Sequence, residues 1–148
     1  NPDQYQKLRD NPKLIPSAVS EIIRYQTPLA HMRRTALRDA ELGGKKIREG
    51  DKVVMWYISG NRDDEVIENP DAFIIDRARP RQHLSFGFGT HFCLGAPLAR
   101  RELLLGFTAL VDRIEEMWFL DDTDLTIAPN YFLRALKELR IGFRARAG

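Results

Sequence analysis

The chain has 148 residues, 43% hydrophobic and 30% charged, with 8 Pro and 10 Gly, a composition that fits one globular domain and excludes a disordered or fibrous protein. Its 23 Lys plus Arg against 21 Asp plus Glu leave a net charge of +2 with the signs interspersed, so no electrostatic footprint for nucleic acid emerges. The longest apolar run, Val53–Ile58, is far too short for a membrane span, and the opening Asn1-Pro2-Asp3-Gln4 is no signal sequence.

Taken in chain order, the first predicted helix begins near Pro16, a residue suited to a first helical turn. Its apolar residues Val19, Ile22 and Ile23 follow the i, i+3, i+4 rule, and Pro28 ends it. Arg33–Arg38, Lys45–Ile47 and Lys52–Ile58 read as short strands of one small sheet, separated by turns at Gly43-Gly44 and Glu49-Gly50. From Asn61 to His91 the sequence is rich in Asp, Arg, Asn and Pro and has no period; a structureless stretch of that length is unusual in a domain and often functional. A second helix follows Gly95, with Pro97 at its start. Leu103, Leu104, Leu105, Phe107, Leu110 and Val111 make it apolar nearly all round, which predicts a central, buried helix. Met117–Leu120 and Tyr131–Phe143 are expected to form a hairpin, although Leu133–Leu139 also fits a helix by propensity.

The densest constellation is Phe86-Gly87-Phe88-Gly89-Thr90-His91-Phe92-Cys93-Leu94-Gly95, directly ahead of that second helix. Three glycines let the backbone turn tightly and a large flat partner approach. The unpaired N–H groups of a helix start near the Cys93 sulfur would favour a thiolate. A lone Cys beside a Gly-rich turn reads equally as a buried structural thiol, and the residues by themselves leave both readings open. The spacing does not fit a dinucleotide fingerprint, no Walker-type Gly-Lys-Ser/Thr exists, and zinc held by His83, His91 and Cys93 fails on ligand count. One Cys and no glycosylation sequon point to a reducing, cytoplasmic compartment. Glu21 and Arg24 lie opposite the apolar stripe of the first helix, and periodicity alone makes them a solvated ion pair worth about 0.2–1 kcal/mol.

Phe-Gly-x-Gly-x-His-x-Cys-x-Gly at 86–95, followed by Pro97-Leu98-Ala99-Arg100, resembles the haem-ligand loop of the cytochromes P450. Glu21-Ile22-Ile23-Arg24 resembles that family's Glu-x-x-Arg helix, and the order of the two motifs agrees. The resemblance implies that Cys93 is the axial thiolate ligand of haem b, pushing electron density that favours O–O cleavage. Phe86 would shield the sulfur, and Gly87, Gly89 and Gly95 would fit the loop beneath the porphyrin. Arg34, His83 and His91 match positions that hold the haem propionates, whereas His31 has no such role. Arg77, in Phe-x-x-x-Arg, is the implied third member of the Glu21–Arg24 group, with Arg79 close by. Leu29, Ala30 and Met32, together with Tyr131 and Phe132 at the tail hairpin tip, match substrate-facing segments, although ordinary core packing also accounts for such residues.

The fold this implies is mainly α with a small β region, the carboxy-terminal third or so of a cytochrome P450 domain, with the amino-terminal part and its oxygen-activating helix absent. The implied activity is haem-thiolate monooxygenation of a small apolar substrate: one atom of dioxygen enters a C–H bond and the other leaves as water. Electrons would come from NAD(P)H through a ferredoxin reductase and a ferredoxin, and the 148 residues alone are expected to be inactive. Asn1 to about Gly89 is similar to the bacterial medium-chain alkane and fatty-acid terminal hydroxylases. Phe92-Cys93-Leu94-Gly95 and the tail are more like other soluble bacterial members. Arg100 and Arg101 sit in the first turns of a helix, where the macrodipole disfavours cations; a nearby anionic group or acidic partner would explain them, as would simple solvation. A non-catalytic haem-binding or sensing module would share the loop, and an interaction protein with an incidental Gly-rich Cys loop would bind no haem.

Overall fold

A computed structural model describes residues 1–130 and 133–146. The predicted hairpin tip at Tyr131 and Phe132 lies outside the described residues. The chain opens with a helix that the sequence reading missed, α1 (Pro2–Asp10), followed by a 3-10 turn at Pro12–Leu14 and α2 (Ile15–Gln26). In α1 only Tyr5 and Leu8 are apolar, too few to show a period. Its ends suit a helix without a side-chain cap, with Pro2 and Asp3 in its first turn and Lys7 and Arg9 in its last. Tertiary contacts fix it: Tyr5 Oη donates to Ile114 O at 2.9 Å and an Arg9 guanidinium N–H donates to Glu115 O at 2.8 Å.

α2 ends at Gln26, two residues before Pro28. Thr27 takes the left-handed conformation (φ 40°), its N–H closing on Ile23 O at 3.1 Å and its hydroxyl on Arg24 O at 2.6 Å. The expected single three-stranded sheet is instead two separate two-stranded ribbons. β1 (His31–Thr35) pairs antiparallel with β4 (Lys52–Trp56), and β2 (Ala40–Leu42) pairs with β3 (Lys45–Ile47) through Gly43-Gly44. Both glycines of that two-residue turn have positive φ, 55° and 73°, which a right-twisted hairpin requires. In β4 burial alternates, with Val53 and Met55 inward and Lys52, Val54 and Trp56 exposed. The strand gives way at Tyr57 to a single helical turn, α3 (Tyr57–Gly60).

Between Asn61 and Phe88 there is neither strand nor helix among the described residues. Carbonyls that lack a ladder still need donors, and guanidinium groups supply them. Arg24 donates to Asn61 O, Pro70 O and Ala72 O at 2.8–3.1 Å. Arg62 donates to Pro70 O and Tyr25 O at 2.8 and 2.9 Å, and Arg77 to Glu68 O, Asn69 O and Ala72 O. This explains how an Arg-rich, aperiodic stretch holds one path.

α4 (Ala96–Arg113) runs straight into β5 (Ile114–Phe119), which pairs antiparallel with β6 (Ile141–Ala145). The hairpin therefore starts earlier than predicted, and its long connection carries one further bridge, Ile127 to Leu136; Leu133–Leu139 is not helical. The prediction of a buried α4 is corrected. Only Ala96 and Val111 are buried along it, while Leu98 and Leu105 are 64% and 56% exposed. One face of α4 packs with α2 on a core of Leu8, Ile15, Ala18, Val19, Ile23, Ile75 and Val111. A helix apolar all round needs neighbours on every side, and here it has them on one. No helix among the described residues is long and apolar enough to cross a membrane.

Candidate functional site

The Cys loop is a closed ring. Gly87 N–H donates to Leu84 O at 2.8 Å, a 3-10 turn covers Gly89–His91, and Cys93 N–H returns to Phe86 O at 2.9 Å. Gly87 and Gly89 have φ of 75° and 74°, where a side chain is strained; at Gly87 a Cβ would also approach Tyr57 Oη to 3.3 Å. Cys93 lies three residues ahead of α4, its Sγ 3.8 Å from where a Gly95 Cβ would stand. The thiol is exposed, which removes the buried structural reading left open by the sequence. Around it in the chain, large apolar side chains face outward: Phe88 is 87% and Leu94 98% exposed, with Phe92 and Leu98 also exposed. Phe86 instead turns inward against the core, its ring 6.2 Å from that of Phe92.

His83 is half-buried, 5.9 Å ring to ring from Phe86, and neither imidazole nitrogen has a hydrogen-bond partner. Burial, then the positive charges of Arg100 and Arg24, push its pKa down to about 4 against the opposing pull of Glu21. Arg100 lies with its guanidinium carbon 5.0 Å above the Phe86 ring, a cation–π contact that accounts for a cation at this helix start; Arg101 is exposed. His91 is exposed beside the ring. Arg34 is half-buried on β1, on the same face as Met32, and among the described residues its guanidinium bonds only the Arg33 carbonyl, at 3.0 Å. Arg34 and the Cys loop share no hydrogen bond. Leu29 and Ala30 are half-buried, and the tail docks beside them through Arg134 N–H to Pro28 O at 2.7 Å. His31 packs against Trp56 with its ring tilted by 40° and the ring centroids 4.9 Å apart.

The depressed His83 pKa gives a pH prediction. A histidine whose folded pKa lies below its unfolded value of 6.5 binds fewer protons folded than unfolded between the two, so stability falls as pH drops from about 6.5 through about 4. His83→Phe should flatten the thermal-midpoint profile over that window. A profile of unchanged slope would show that His83 is not held neutral.

Glu21 and Arg24 overturn the solvated-pair expectation: they are 0% and 1% exposed. Arg24 donates two bonds to the carboxylate, at 2.8 and 2.9 Å, the Ile74 N–H a third at 2.9 Å, and Arg77 Nε lies 3.0 Å from both oxygens. It is Arg77, not the exposed Arg79, that meets Glu21. Burial pushes the Glu21 pKa up, but the bonds from Arg24, Ile74 and Arg77 outweigh it and leave the carboxyl below its ordinary value. Sequence reading missed Asn61, fully buried among these groups, and Arg62, which covers the Tyr25 ring at 4.2 Å; no local pattern marks either.

An exposed thiol at a helix start, framed by exposed apolar side chains, can make one thiolate bond to a metal that arrives within a larger apolar group. Among the described residues no cluster of His, Cys, Asp and Glu could hold a bare metal ion. Residues 3–125 match the family model described as Cytochrome P450. The chain is 42% identical to linalool 8-monooxygenase of Pseudomonas putida over 140 residues, 95% of this chain and 34% of that protein. It is 43% identical to the structure of cytochrome P450-153 from Novosphingobium aromaticivorans (TM-score 0.89, 97% of this chain and 36% of that one). It is 37% identical to the structure of CYP109E1 from Bacillus megaterium in complex with testosterone (TM-score 0.90, 99% and 40%). The chain thus spans about a third of the length of the curated relatives it matches.

Proposed function

The chain belongs to the cytochrome P450 family, whose cofactor is haem b, and from that membership we propose that it is the carboxy-terminal portion of a haem-thiolate monooxygenase domain. The observation that carries the reading is the exposed Cys93 thiol on a hydrogen-bonded ring whose neighbours Phe88, Phe92 and Leu94 present apolar surface outward. These residues fit an iron porphyrin: one soft anionic ligand, a flat apolar partner, and in His83 an imidazole whose nitrogens have no protein partner. Haem, when bound, supplies the dioxygen and redox chemistry.

The residues of the chain have separate tasks. Cys93 holds the iron as thiolate. With haem over the exposed thiol, Phe86, turned inward against the core, would close the sulfur off from the protein side, and Gly87, Gly89 and Gly95 would let the loop lie close to the porphyrin. Arg34, His83 and His91 carry the propionates, and the Glu21–Arg24–Arg77 group fixes the aperiodic stretch that delivers the loop. Leu29, Ala30 and Met32 form one edge of an apolar substrate pocket. The linalool and testosterone named for two relatives are both largely apolar molecules. The resemblance of residues 1–89 to alkane and fatty-acid terminal hydroxylases supports a medium-chain alkane or fatty acid as the substrate. Electrons reach it from NAD(P)H through a ferredoxin reductase and a ferredoxin, and the lone thiol supports a cytoplasmic setting.

The test supplies ferredoxin, its reductase, NAD(P)H and either a medium-chain alkane or a fatty acid to the full domain and to residues 1–148 with added haem. Hydroxylated product from the full domain alone is expected. The residues identified here would supply the thiolate, the propionate contacts and one edge of the substrate pocket, and would leave water exclusion over the rest of the haem to other parts of the domain. Haem binding without product from the full domain would instead identify a non-catalytic haem module, and coupled turnover by the 148 residues would contradict the division of labour.

A further inference from the structure

We propose that Asn61, which belongs to none of the motifs above, is the positioning residue that sets the register of the Cys93 ring. The inference builds on the reading of Cys93 as the iron ligand. Asn61 is fully buried where α2, α3 and the loop meet. Its Nδ2 donates to Thr27 Oγ1 at 2.8 Å and to Ser85 Oγ at 2.9 Å, and its Oδ1 accepts the Leu84 N–H at 2.6 Å. Its backbone is held as well, N–H to Tyr57 O at 2.9 Å and carbonyl from Arg24 at 2.8 Å.

The two hydroxyls dictate the residue type. Thr27 already donates its proton to Arg24 O at 2.6 Å and Ser85 to Ile23 O at 2.8 Å, so each offers Asn61 only lone pairs. The position therefore requires two N–H donors and one acceptor on a short planar side chain, which is a carboxamide. An isosteric carboxylate would set lone pairs against lone pairs in a site without water access.

From Asn61 to the thiol the path runs through backbone alone. Leu84, whose N–H Asn61 holds, offers its carbonyl to Gly87 N–H at 2.8 Å, and Phe86 within that turn offers its carbonyl to Cys93 N–H at 2.9 Å. Tyr57, which accepts the Asn61 N–H, also walls the turn at Gly87 with its hydroxyl. With no flexible side chain between Leu84 and Cys93, loosening the first bond releases the last.

The experiment uses the haem-loaded full chain and Asn61→Ala, Asn61→Asp and Ser85→Ala variants. Hydrogen exchange at the Leu84, Gly87 and Cys93 amides is compared with that of the β5–β6 ladder. The ratio of red-shifted to unshifted Soret absorbance is read in the reduced carbon-monoxide complex at equal haem content. We expect Asn61→Ala and Asn61→Asp to speed exchange of those three amides by about tenfold with the β5–β6 amides unchanged, and to lower the band ratio. Ser85→Ala, which keeps the Leu84 bond, should do so less. Uniform acceleration of all amides, or an unchanged ring with normal haem content, would overturn the proposal. If the Asn61 variants do not fold, Ser85→Ala decides, because it takes from the carboxamide one of the two acceptors that fix its orientation, and exchange at Leu84, Gly87 and Cys93 no faster than in the wild type overturns the proposal. A wild-type protein without the red-shifted band would remove Cys93 as ligand, while the exchange pattern would still test Asn61.

Discussion

Replacing Cys93 by Ser in the full haem-loaded chain is expected to abolish the strongly red-shifted Soret band of the reduced carbon-monoxide complex. Cys93 is the only thiol in these 148 residues, and its bond to Phe86 runs through the backbone N–H, which Ser retains. Ser differs from Cys by one atom, so the ring formed by Leu84–Gly87 and Phe86–Cys93 should persist. What is lost is the soft anionic sulfur: a Ser hydroxyl does not ionise near neutral pH and cannot push electron density onto iron as a thiolate does. The change is therefore chemical rather than structural, and haem retained with an unshifted band is the expected signature. An unchanged red-shifted band would remove Cys93 from the site.

Glu21→Ala should prevent haem incorporation and unfold much of the domain. The Glu21 carboxylate is fully buried and accepts bonds from Arg24, the Ile74 N–H and Arg77, so its removal strands two guanidinium groups, one of them buried with it. Breaking a buried pair costs about 3–5 kcal/mol, a large part of a domain's 5–15 kcal/mol. Those guanidinium groups also satisfy carbonyls at Asn61, Glu68, Asn69, Pro70 and Ala72, and the loss spreads along the stretch that leads to the Cys ring. Glu21→Gln keeps the volume and some of the bonds and should fall between. Because its pKa is lowered in the fold, the contribution of Glu21 is present above its ordinary carboxylate value and is lost as pH falls through the folded one. Normal expression, full haem content and an unchanged melting temperature for Glu21→Ala would mean a pair worth under about 1 kcal/mol, as for an exposed one.

What could be seen in the sequence follows from how local each determinant is. The Pro16 helix, the Gly43-Gly44 turn, the aperiodic stretch and the helix after Gly95 are set by neighbours within a turn or two, and all four are present, whereas the strand Ala40–Leu42 that the turn joins to Lys45–Ile47 was not predicted. The burial of Glu21 and Arg24 was misread because their partners, Asn61, Ile74 and Arg77, come from 37 to 56 residues away, beyond the reach of helical periodicity. Ile22, which the period placed inward, is only half-buried while Glu21 is fully so. α1 escaped for the converse reason: it is stabilised by its ends and by contacts with β5 rather than by an apolar stripe. The loop residues were read through their resemblance to a family motif, since the residues by themselves left two readings of Cys93 open, and the fold adds that they lie on one hydrogen-bonded ring with an exposed thiol. Arg34 matched by position, yet the chain alone leaves its guanidinium on its own strand, without a hydrogen bond to the loop. Asn61 had no signal, since its role lies in two hydroxyls, each already committed elsewhere as a donor.

The central claim, that these residues hold haem through a thiolate, is tested most directly by the spectrum of the full wild-type chain, reduced and saturated with carbon monoxide. The account predicts a single strongly red-shifted Soret band with one haem per chain. A stoichiometric haem whose band stays unshifted, or a folded protein that takes up no haem, would contradict it.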